Sequence, residues 1–171
     1  MRAVVVTVST RAAAGVYRDE AGPAVARLLA EAGFEVGEPV VVPDGRRQVA
    51  EALVEACGRA DLVVTSGGTG LHPKDETPEA TLDVVDRLAP GLAEAMRASA
   101  RTATPMGMLS RAVAGARGST LVINLPGSPR GAVENLRAVL PVLSHAVDQL
   151  HGGEHAEDRR ARQRREARPP S

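Results

Sequence analysis

The sequence is poor in aromatic residues and in cysteine. Its 171 residues include no Trp, one Tyr, one Phe and one Cys. So few rings cannot form the stacking platform on which single-stranded nucleic acid binds. Basic and acidic residues both number 21, so the basic excess typical of a nucleic-acid-binding domain is also lacking. One cysteine excludes an internal disulfide and a metal site built from several thiolates. Nucleic acid is therefore not the expected partner.

Long apolar runs are lacking as well. No apolar stretch is long enough to span a bilayer, so we expect no membrane partner. Residues 1–6 have the pattern of a strand, without the apolar region and cleavage site of a signal peptide. The four histidines show no metal-ligand spacing. These absences predict a cytoplasmic protein.

Apolar patterns typical of strands and of helices alternate along the chain, which predicts an α/β fold. We expect a three-layer sandwich around a mostly parallel central sheet. Strands are predicted at 3–8, within 34–42, at 61–65 and at 119–125, with a short edge strand at 113–116. Helices are predicted over 22–32, from the turn at 43–45 to about 57, and over 77–88, 90–102 and 129–150. Residues 1–151 form one predicted domain, and the Arg-rich segment 152–171 a disordered, solvated tail.

The glycine-rich segment 65–70, Thr-Ser-Gly-Gly-Thr-Gly, follows a predicted buried strand. Because glycine has no Cβ, such a segment can bring its backbone N–H groups close to a phosphate. Thr77 is predicted to cap the next helix, with Pro78 at its first position, so that the helix would offer further N–H donors. The Gly-Lys-Ser/Thr ending of a P-loop is missing, which argues against an ordinary ATPase. The segment predicts a phosphorylated ligand.

Two carboxylates stand in predicted loops after strands. Asp44 lies in the turn 43–45, and Asp75 follows the glycine-rich segment. Loops at the carboxyl ends of parallel strands converge, so the two could share a magnesium ion, or one could bind the metal while the other positions a substrate. An ordinary turn residue explains Asp44 equally well. For Asp75 the functional interpretation is favoured.

Several separated motifs together resemble the MogA/MoaB family of molybdenum-cofactor biosynthesis, whose fold is shared with the G domain of gephyrin. They are, in order, Thr-Ser-Gly-Gly-Thr-Gly at 65–70, Asp75, Thr-Pro-Glu-Ala-Thr at 77–81, Leu-Ser-Arg at 109–111 and Asn-Leu-Pro-Gly-Ser-Pro at 124–129. The opening loop at 9–19 is similar to the family's first ligand loop. Thr10 departs from the aspartate that is common there, and Ser66 replaces the usual threonine.

The resemblance implies a molybdopterin adenylyltransferase. Such an enzyme joins AMP from Mg-ATP to the terminal phosphate of molybdopterin, releases pyrophosphate and hands its product to a MoeA-type molybdenum insertase. Asp44 and Asp75 match the family's essential acidic pair and are the expected catalytic and Mg²⁺-binding residues. Ser9, Ser110 and Arg111 are expected at the pterin phosphate. The expected substrate- and nucleotide-binding residues are Ser9, Ser66, Gly67, Gly68, Thr69, Gly70, Thr77, Ser110, Arg111, Pro126, Gly127 and Ser128.

Two other functions stay open at this point. Some members of the family bind molybdopterin with little adenylylation, and their motifs overlap heavily with those of the enzymes. The fold also serves assembly in gephyrin, so an oligomeric scaffold is a third possibility. The family forms trimers, or hexamers made from trimers, and a homo-oligomer is therefore expected in each case.

Overall fold

The computed structural model describes residues 1–153, which form a seven-stranded sheet with helices on both faces. The strands are β1 (Arg2–Val8), β2 (Glu35–Val36), β3 (Val40–Val42), β4 (Leu62–Ser66), β5 (Arg87–Leu88), β6 (Ala114–Arg117) and β7 (Thr120–Leu125). The helices are α1 (Thr10–Ala13), α2 (Ala21–Glu31), α3 (Arg46–Cys57), α4 (Thr77–Val84), α5 (Pro90–Ala103) and α6 (Pro129–Leu150), with a 3₁₀ turn at Pro105–Leu109. From residue 154 onward the predicted tail lies outside the described residues.

The sheet confirms the predicted mostly parallel arrangement. Its strand order is β2-β1-β4-β7-β6-β5, and β3 also pairs with β1. β1 runs parallel to β2, β3 and β4, and β4 runs parallel to β7. Only β6 pairs antiparallel, with β5 and β7. The carboxyl ends of β1, β3, β4 and β7 therefore meet at one edge of the sheet, where ligands of open α/β folds bind.

The two faces of the sheet carry separate apolar cores. Successive strand residues point to opposite faces, so Val5 packs with α2, α5 and α6, whereas Val6 packs with α3 and α4. Both valines are completely buried. Cys57 packs against the second core, where burial raises the pKa of its thiol to about 11. A thiol that stays protonated fits the predicted packing role rather than a nucleophile.

Three predicted elements differ in the structure. The second strand is split into β2 and β3 around Gly37, Glu38 and Pro39. α4 ends at Val84 rather than near Leu88, because Val85 is extended and the N–H of Asp86 donates to Ala116. The segment after α4 forms β5, which covers β6, so β6 is not the edge strand that its sequence predicted. Within residues 1–153, no helix has the length and apolarity needed to cross a membrane.

Candidate active site

Two adjoining cavities open where the carboxyl ends of β1, β3, β4 and β7 meet. The first has a volume of about 440 Å³ and lies beside the start of α6; we call it the α6 cavity. The second, the β1 cavity, has a volume of about 450 Å³ and lies beside the end of β1. Thr69, Gly70, Asp75, Ser110, Glu134 and Asn135 are among the residues that line the α6 cavity. Ser9, Tyr17, Asp19, Asp44, Ser66 and Gly67 are among those that line the β1 cavity.

The wall between the cavities is built from backbone. Gly68 and Gly127 line both of them. Gly67 has a φ of 113°, and a Cβ there would lie 2.3 Å from the carbonyl oxygen of Val8, so no other residue fits. A Cβ on Gly127 would lie 3.3 Å from the Cα of Gly67. The hydroxyl of Ser66 donates to the carbonyl oxygen of Pro126 at 3.0 Å, which ties the two loops together.

The wall offers backbone donors to a ligand. The N–H groups of Gly68, Thr69, Gly127 and Ser128 have no hydrogen-bond acceptor among residues 1–153. Each of these residues lines at least one cavity. Successive backbone N–H groups of this kind bind anions, because they carry partial positive charge without a side chain in the way. The glycine-rich segment therefore has free N–H groups beside both cavities, and phosphate binding there stays a prediction.

The two predicted carboxylates line different cavities. Asp75 lines the α6 cavity, and its Oδ2 accepts a hydrogen bond from the N–H of Gly70 at 3.1 Å. Asp44 lines the β1 cavity, and its Oδ2 accepts from the N–H and the hydroxyl of Thr10 at 2.8 and 2.7 Å. In both, the second oxygen, Oδ1, accepts no hydrogen bond from the described part of the chain. Each acid therefore keeps one oxygen for a ligand.

This arrangement bears on the predicted Mg²⁺ site. Within the described part of the chain, no group of three or more His, Cys, Asp or Glu residues is placed to hold a metal. Mg²⁺ needs no such cage, since it keeps several water ligands and binds through one or two carboxylates together with substrate phosphates. A single free carboxylate oxygen beside N–H donors fits that pattern. Of the two alternatives, separate tasks for Asp75 and Asp44 fit the geometry better than one shared ion.

Arg111 and Thr77, two of the predicted ligand-binding residues, line neither of the two cavities and make contacts within the protein. The Nε of Arg111 donates to the carbonyl oxygen of Gly70 at 2.7 Å, and its two terminal nitrogens donate to the carbonyl oxygen of Asp75 and the carboxylate of Glu79. The guanidinium is thus used to hold the loop that carries Asp75. The hydrogen bond from Arg111 to the carboxylate of Glu79 also lowers the pKa of Glu79.

The start of α4 also differs from the prediction. Glu76, not Thr77, is the capping residue, and Thr77 is fully buried inside the helix. The N–H of Thr77 donates to the carbonyl oxygen of Gly68 at 3.1 Å, and Pro78 has no N–H. The first two positions of the helix therefore offer no free N–H donor to a ligand. The start of α4 instead holds the carbonyl group of Gly68, and the N–H group of Gly68 is free for a ligand.

A family model described as "Probable molybdopterin binding domain" matches residues 4–145 of the chain. The chain belongs to this family. Residues 4–145 contain both cavities, so the match covers every element that builds the candidate site. Most of the resemblance that the motifs predicted is therefore confirmed by a comparison over the whole domain.

Relatives in the molybdopterin-binding family include named enzymes. A molybdopterin adenylyltransferase of Helicobacter pylori is 40% identical over 152 residues, which cover 86% of each chain. One of Escherichia coli is 38% identical over 157 residues, covering 89% of this chain and 79% of the relative. Among solved structures, the molybdopterin biosynthesis enzyme MoaB of Thermus thermophilus is 48% identical, with a TM-score of 0.83 over 88% of this chain and 96% of that one. These family members also confirm the predicted fold class.

Thr10 and Asn135 are two of the residues at the site that were not among the predicted site residues. Thr10 was noted only as a departure from the family pattern, yet its side chain and N–H bind Asp44. Asn135 lies on the core-facing side of α6 next to the fully buried Leu136. An amide in an apolar helical stripe is a signal visible in the sequence, because a buried polar side chain needs a partner. Its position in the α6 cavity shows where that partner can come from.

Proposed function

We propose that this chain is a molybdopterin adenylyltransferase, which transfers AMP from Mg-ATP to the terminal phosphate of molybdopterin. The observation that carries the proposal is the pair of adjoining cavities with a shared backbone wall, with Asp75 in one and Asp44 in the other. A reaction between two phosphorylated substrates requires two pockets that meet at the reacting groups. The curated relatives named as this enzyme support the same reaction.

The chemistry needs little covalent help from the protein. A phosphate oxygen of molybdopterin attacks the α-phosphorus of ATP, and the bond from that phosphorus to the bridging oxygen breaks as pyrophosphate leaves. Two anions must approach each other, so positioning and charge stabilisation provide most of the rate. The free N–H groups of Gly68, Thr69 and Ser128 are placed to hold phosphate oxygens without moving. A cavity wall without side chains permits the close approach.

Asp75 and Asp44 would have different roles in this reaction. Mg²⁺, bound by Asp75 with water and phosphate oxygens, would supply positive charge where negative charge builds up. Asp75 is held for this by the N–H of Gly70 and, through its backbone, by Arg111. Asp44 would orient the second substrate from the β1 cavity, with Thr10 fixing its carboxylate. Ser9 lines the same cavity and Ser110 lines the α6 cavity, where each would contact a substrate phosphate.

The direct test is incubation of the purified protein with molybdopterin and Mg-ATP, followed by detection of the AMP-linked pterin and of pyrophosphate. Both products should form in equal amounts and require ATP. A protein that binds molybdopterin but leaves it unmodified would contradict the proposal. Addition of a chelator should stop the reaction, and added magnesium should restore it, if a divalent ion takes part.

One observation favours a second function strongly enough to keep it. Solved relatives at 48% identity carry both names, MoaB and MogA, so the similarity alone does not separate the two kinds of protein. A MoaB-type protein that binds molybdopterin without transferring AMP is therefore the alternative outcome of the same assay. The expected homo-oligomer, the docking of a MoeA-type insertase and the cytoplasmic location stay predictions.

A further inference from the structure

The part of the α6 cavity formed by α6 itself carries an amide whose oxygen has no hydrogen-bond donor within residues 1–153. Asn135 is 4% exposed and lines this cavity. Its Nδ2 donates to the carbonyl oxygen of Gly131 at 2.8 Å. Because a carbonyl oxygen only accepts hydrogen bonds, this contact fixes which amide atom is nitrogen and which is oxygen. Oδ1 therefore points away from the Gly131 carbonyl.

That oxygen is available to a ligand. Oδ1 accepts no hydrogen bond within residues 1–153. It is also not completely enclosed by protein, because the fully buried side-chain atoms without a partner do not include it. Since Asn135 is almost entirely buried and lines the α6 cavity, the cavity is where Oδ1 can be reached. A nearly buried acceptor of this kind requires a donor, because it has lost most of its contact with water.

Glu134 adds a second acceptor beside it. Glu134 lines the same cavity, and only its Oε1 is engaged, by the Nε of Arg130 at 2.7 Å. Oε2 accepts no hydrogen bond from the described residues. The two neighbouring residues of α6 thus offer the cavity an amide oxygen and a carboxylate oxygen. The nearly buried oxygen of Asn135 needs an N–H or O–H group from a ligand, and the partly exposed Glu134 can accept a second one.

The α6 cavity therefore has two chemically different ends. Free N–H donors lie at the wall, in Thr69 and Ser128, beside the free Oδ1 of Asp75, and two further acceptors lie on α6 at Glu134 and Asn135. Along α6, the separation between residue 128 and residues 134–135 is about 10 Å, from a rise of about 1.5 Å per residue. A ligand that fills the cavity must carry an anion at one end and adjacent N–H groups at the other. Apolar contacts from Ala100, Met106 and Leu109 suit a flat ring between them.

We propose that Asn135, with Glu134, recognises the amino and ring N–H groups of a pterin and so selects the substrate of this cavity. The inference rests on the proposed function for the identity of the ligand. A pterin presents an amino group next to a protonated ring nitrogen, which are two adjacent donors. An acceptor pair rejects a ring with oxygens at those positions, because buried acceptors would then face acceptors. Asn135 is a specificity-determining residue in this scheme, and it takes no part in the transfer of AMP.

Two substitutions separate recognition from a structural role. In Asn135→Ser, the hydroxyl can bond to the carbonyl oxygen four residues back in the helix, as serine does, so the contact with Gly131 is kept while Oδ1 is lost. In Asn135→Asp, an acceptor oxygen is kept while the donor to Gly131 is lost. The dissociation constant of molybdopterin is measured for each by equilibrium ultrafiltration, with detection of the fluorescent oxidised pterin. Arg137→Gln, on an exposed site of α6 outside both cavities, is the matched control.

We expect N135S to weaken molybdopterin binding by about tenfold, as loss of one buried hydrogen bond does, and N135D to weaken it less. The KM for ATP should change by less than about twofold, because the acceptor pair contacts only the pterin. N135D binding as weakly as N135S or more weakly, or wild-type affinity in N135S, would overturn the proposal. Melting temperatures of all variants show whether the fold is kept.

The outcome for the proposed function is read separately. Wild-type protein that binds molybdopterin but transfers no AMP would refute the proposed adenylyltransferase activity. The binding test of Asn135 would still be valid. Transfer by the wild type together with an unchanged dissociation constant in N135S would remove only the role of Asn135. Wild-type protein that does not bind molybdopterin would remove both.

Discussion

Thr10 and Asp44 bind each other through three hydrogen bonds across 34 residues of sequence. The N–H and the hydroxyl of Thr10 donate to Oδ2 of Asp44 at 2.8 and 2.7 Å, and the hydroxyl accepts from the N–H of Asp44 at 3.0 Å. One carboxylate oxygen is thereby fixed and the other is left for the β1 cavity. An aspartate at position 10 would face Asp44 with a like charge, so threonine gives this site a different electrostatic character.

Replacing Thr10 by valine should lower kcat/KM for AMP transfer by about ten- to a hundredfold, because a hydrogen bond to a charged group contributes roughly 1.5–3 kcal/mol. Valine keeps the shape of threonine and removes only the hydroxyl. Thr10→Ser, which retains the hydroxyl, is the control and should stay near the wild-type value. Steady-state rates of AMP-linked pterin formation measure the effect. Equal losses in T10V and T10S would show that packing, rather than the bond to Asp44, matters.

Asp75→Asn should reduce AMP transfer by at least about a hundredfold, a loss comparable with removal of one transition-state electrostatic contact. Asparagine can still accept the hydrogen bond from Gly70, so the loop, the fold and molybdopterin binding should be retained. The measurement is the transfer rate together with equilibrium binding of molybdopterin. Asp83→Asn, which affects an exposed ion pair with Arg46 outside both cavities, is the control. Near-normal turnover by D75N would remove Asp75 from catalysis.

The ion pair between Glu79 and Arg111 should stabilise the protein only above acidic pH. Arg111 holds the pKa of Glu79 below its usual value of 4.5, so the unfolded chain takes up this proton more readily than the folded one. The stabilisation is therefore present above the usual pKa and is lost as the pH falls toward the folded value. We expect Glu79→Gln to cost about 1 kcal/mol at neutral pH, since the pair is partly exposed.

Urea unfolding of the wild type and of E79Q at several pH values measures this difference, which should shrink as the pH is lowered below 4.5. Glu51→Gln is the control, because Glu51 pairs with Arg47 at 3.8 Å on an open surface. That variant should differ little from the wild type at any pH. A difference for E79Q that does not depend on pH would contradict the assigned role.

Gly68→Ala should be more destabilising than Gly118→Ala, although both glycines have positive φ. Gly118 has a φ of 55° and no atom within 4 Å of the position of a Cβ, so alanine there costs only the backbone term of about 1–2 kcal/mol. Gly68 has a φ of 65°, and a Cβ would lie 2.4 Å from Oγ1 of Thr77. Overpacking should add about 1–3 kcal/mol. Chemical denaturation of both variants checks this, and equal losses would show that the contact with Thr77 relaxes freely.

Much of the fold could be predicted because its signals are local. The valine-rich runs of β1 and β4 and the Ser128–Pro129 start of α6 are visible in single segments, and the structure has them. The end of α4 could not be predicted, since it depends on pairing between β5 and β6, whose residues are far apart in sequence. The glycine-rich segment and both aspartates could be singled out in the sequence because of their residue types, and the structure places them beside the two cavities.

The hydrogen bonds of Arg111 could not be predicted for a different reason. Its partners include the backbone oxygens of Gly70 and Asp75, and a sequence does not show where carbonyl groups point. The expectation that Arg111 contacts the pterin phosphate came from the family resemblance, and a resemblance does not show these contacts either. The contact between Thr10 and Asp44 was missed in the same way, because it depends on β1 and β3 lying side by side.

The glycine partition between the two cavities affects how substitutions can alter substrate recognition in such a protein. Gly67, Gly68 and Gly127 contribute only main chain to it, so side chains on one side do not reach across to the other. Substitutions that reshape the chamber beside α6 should leave the chamber beside β1 as it is. The preference for one substrate can then drift, or be redesigned, while recognition of its co-substrate is inherited unchanged.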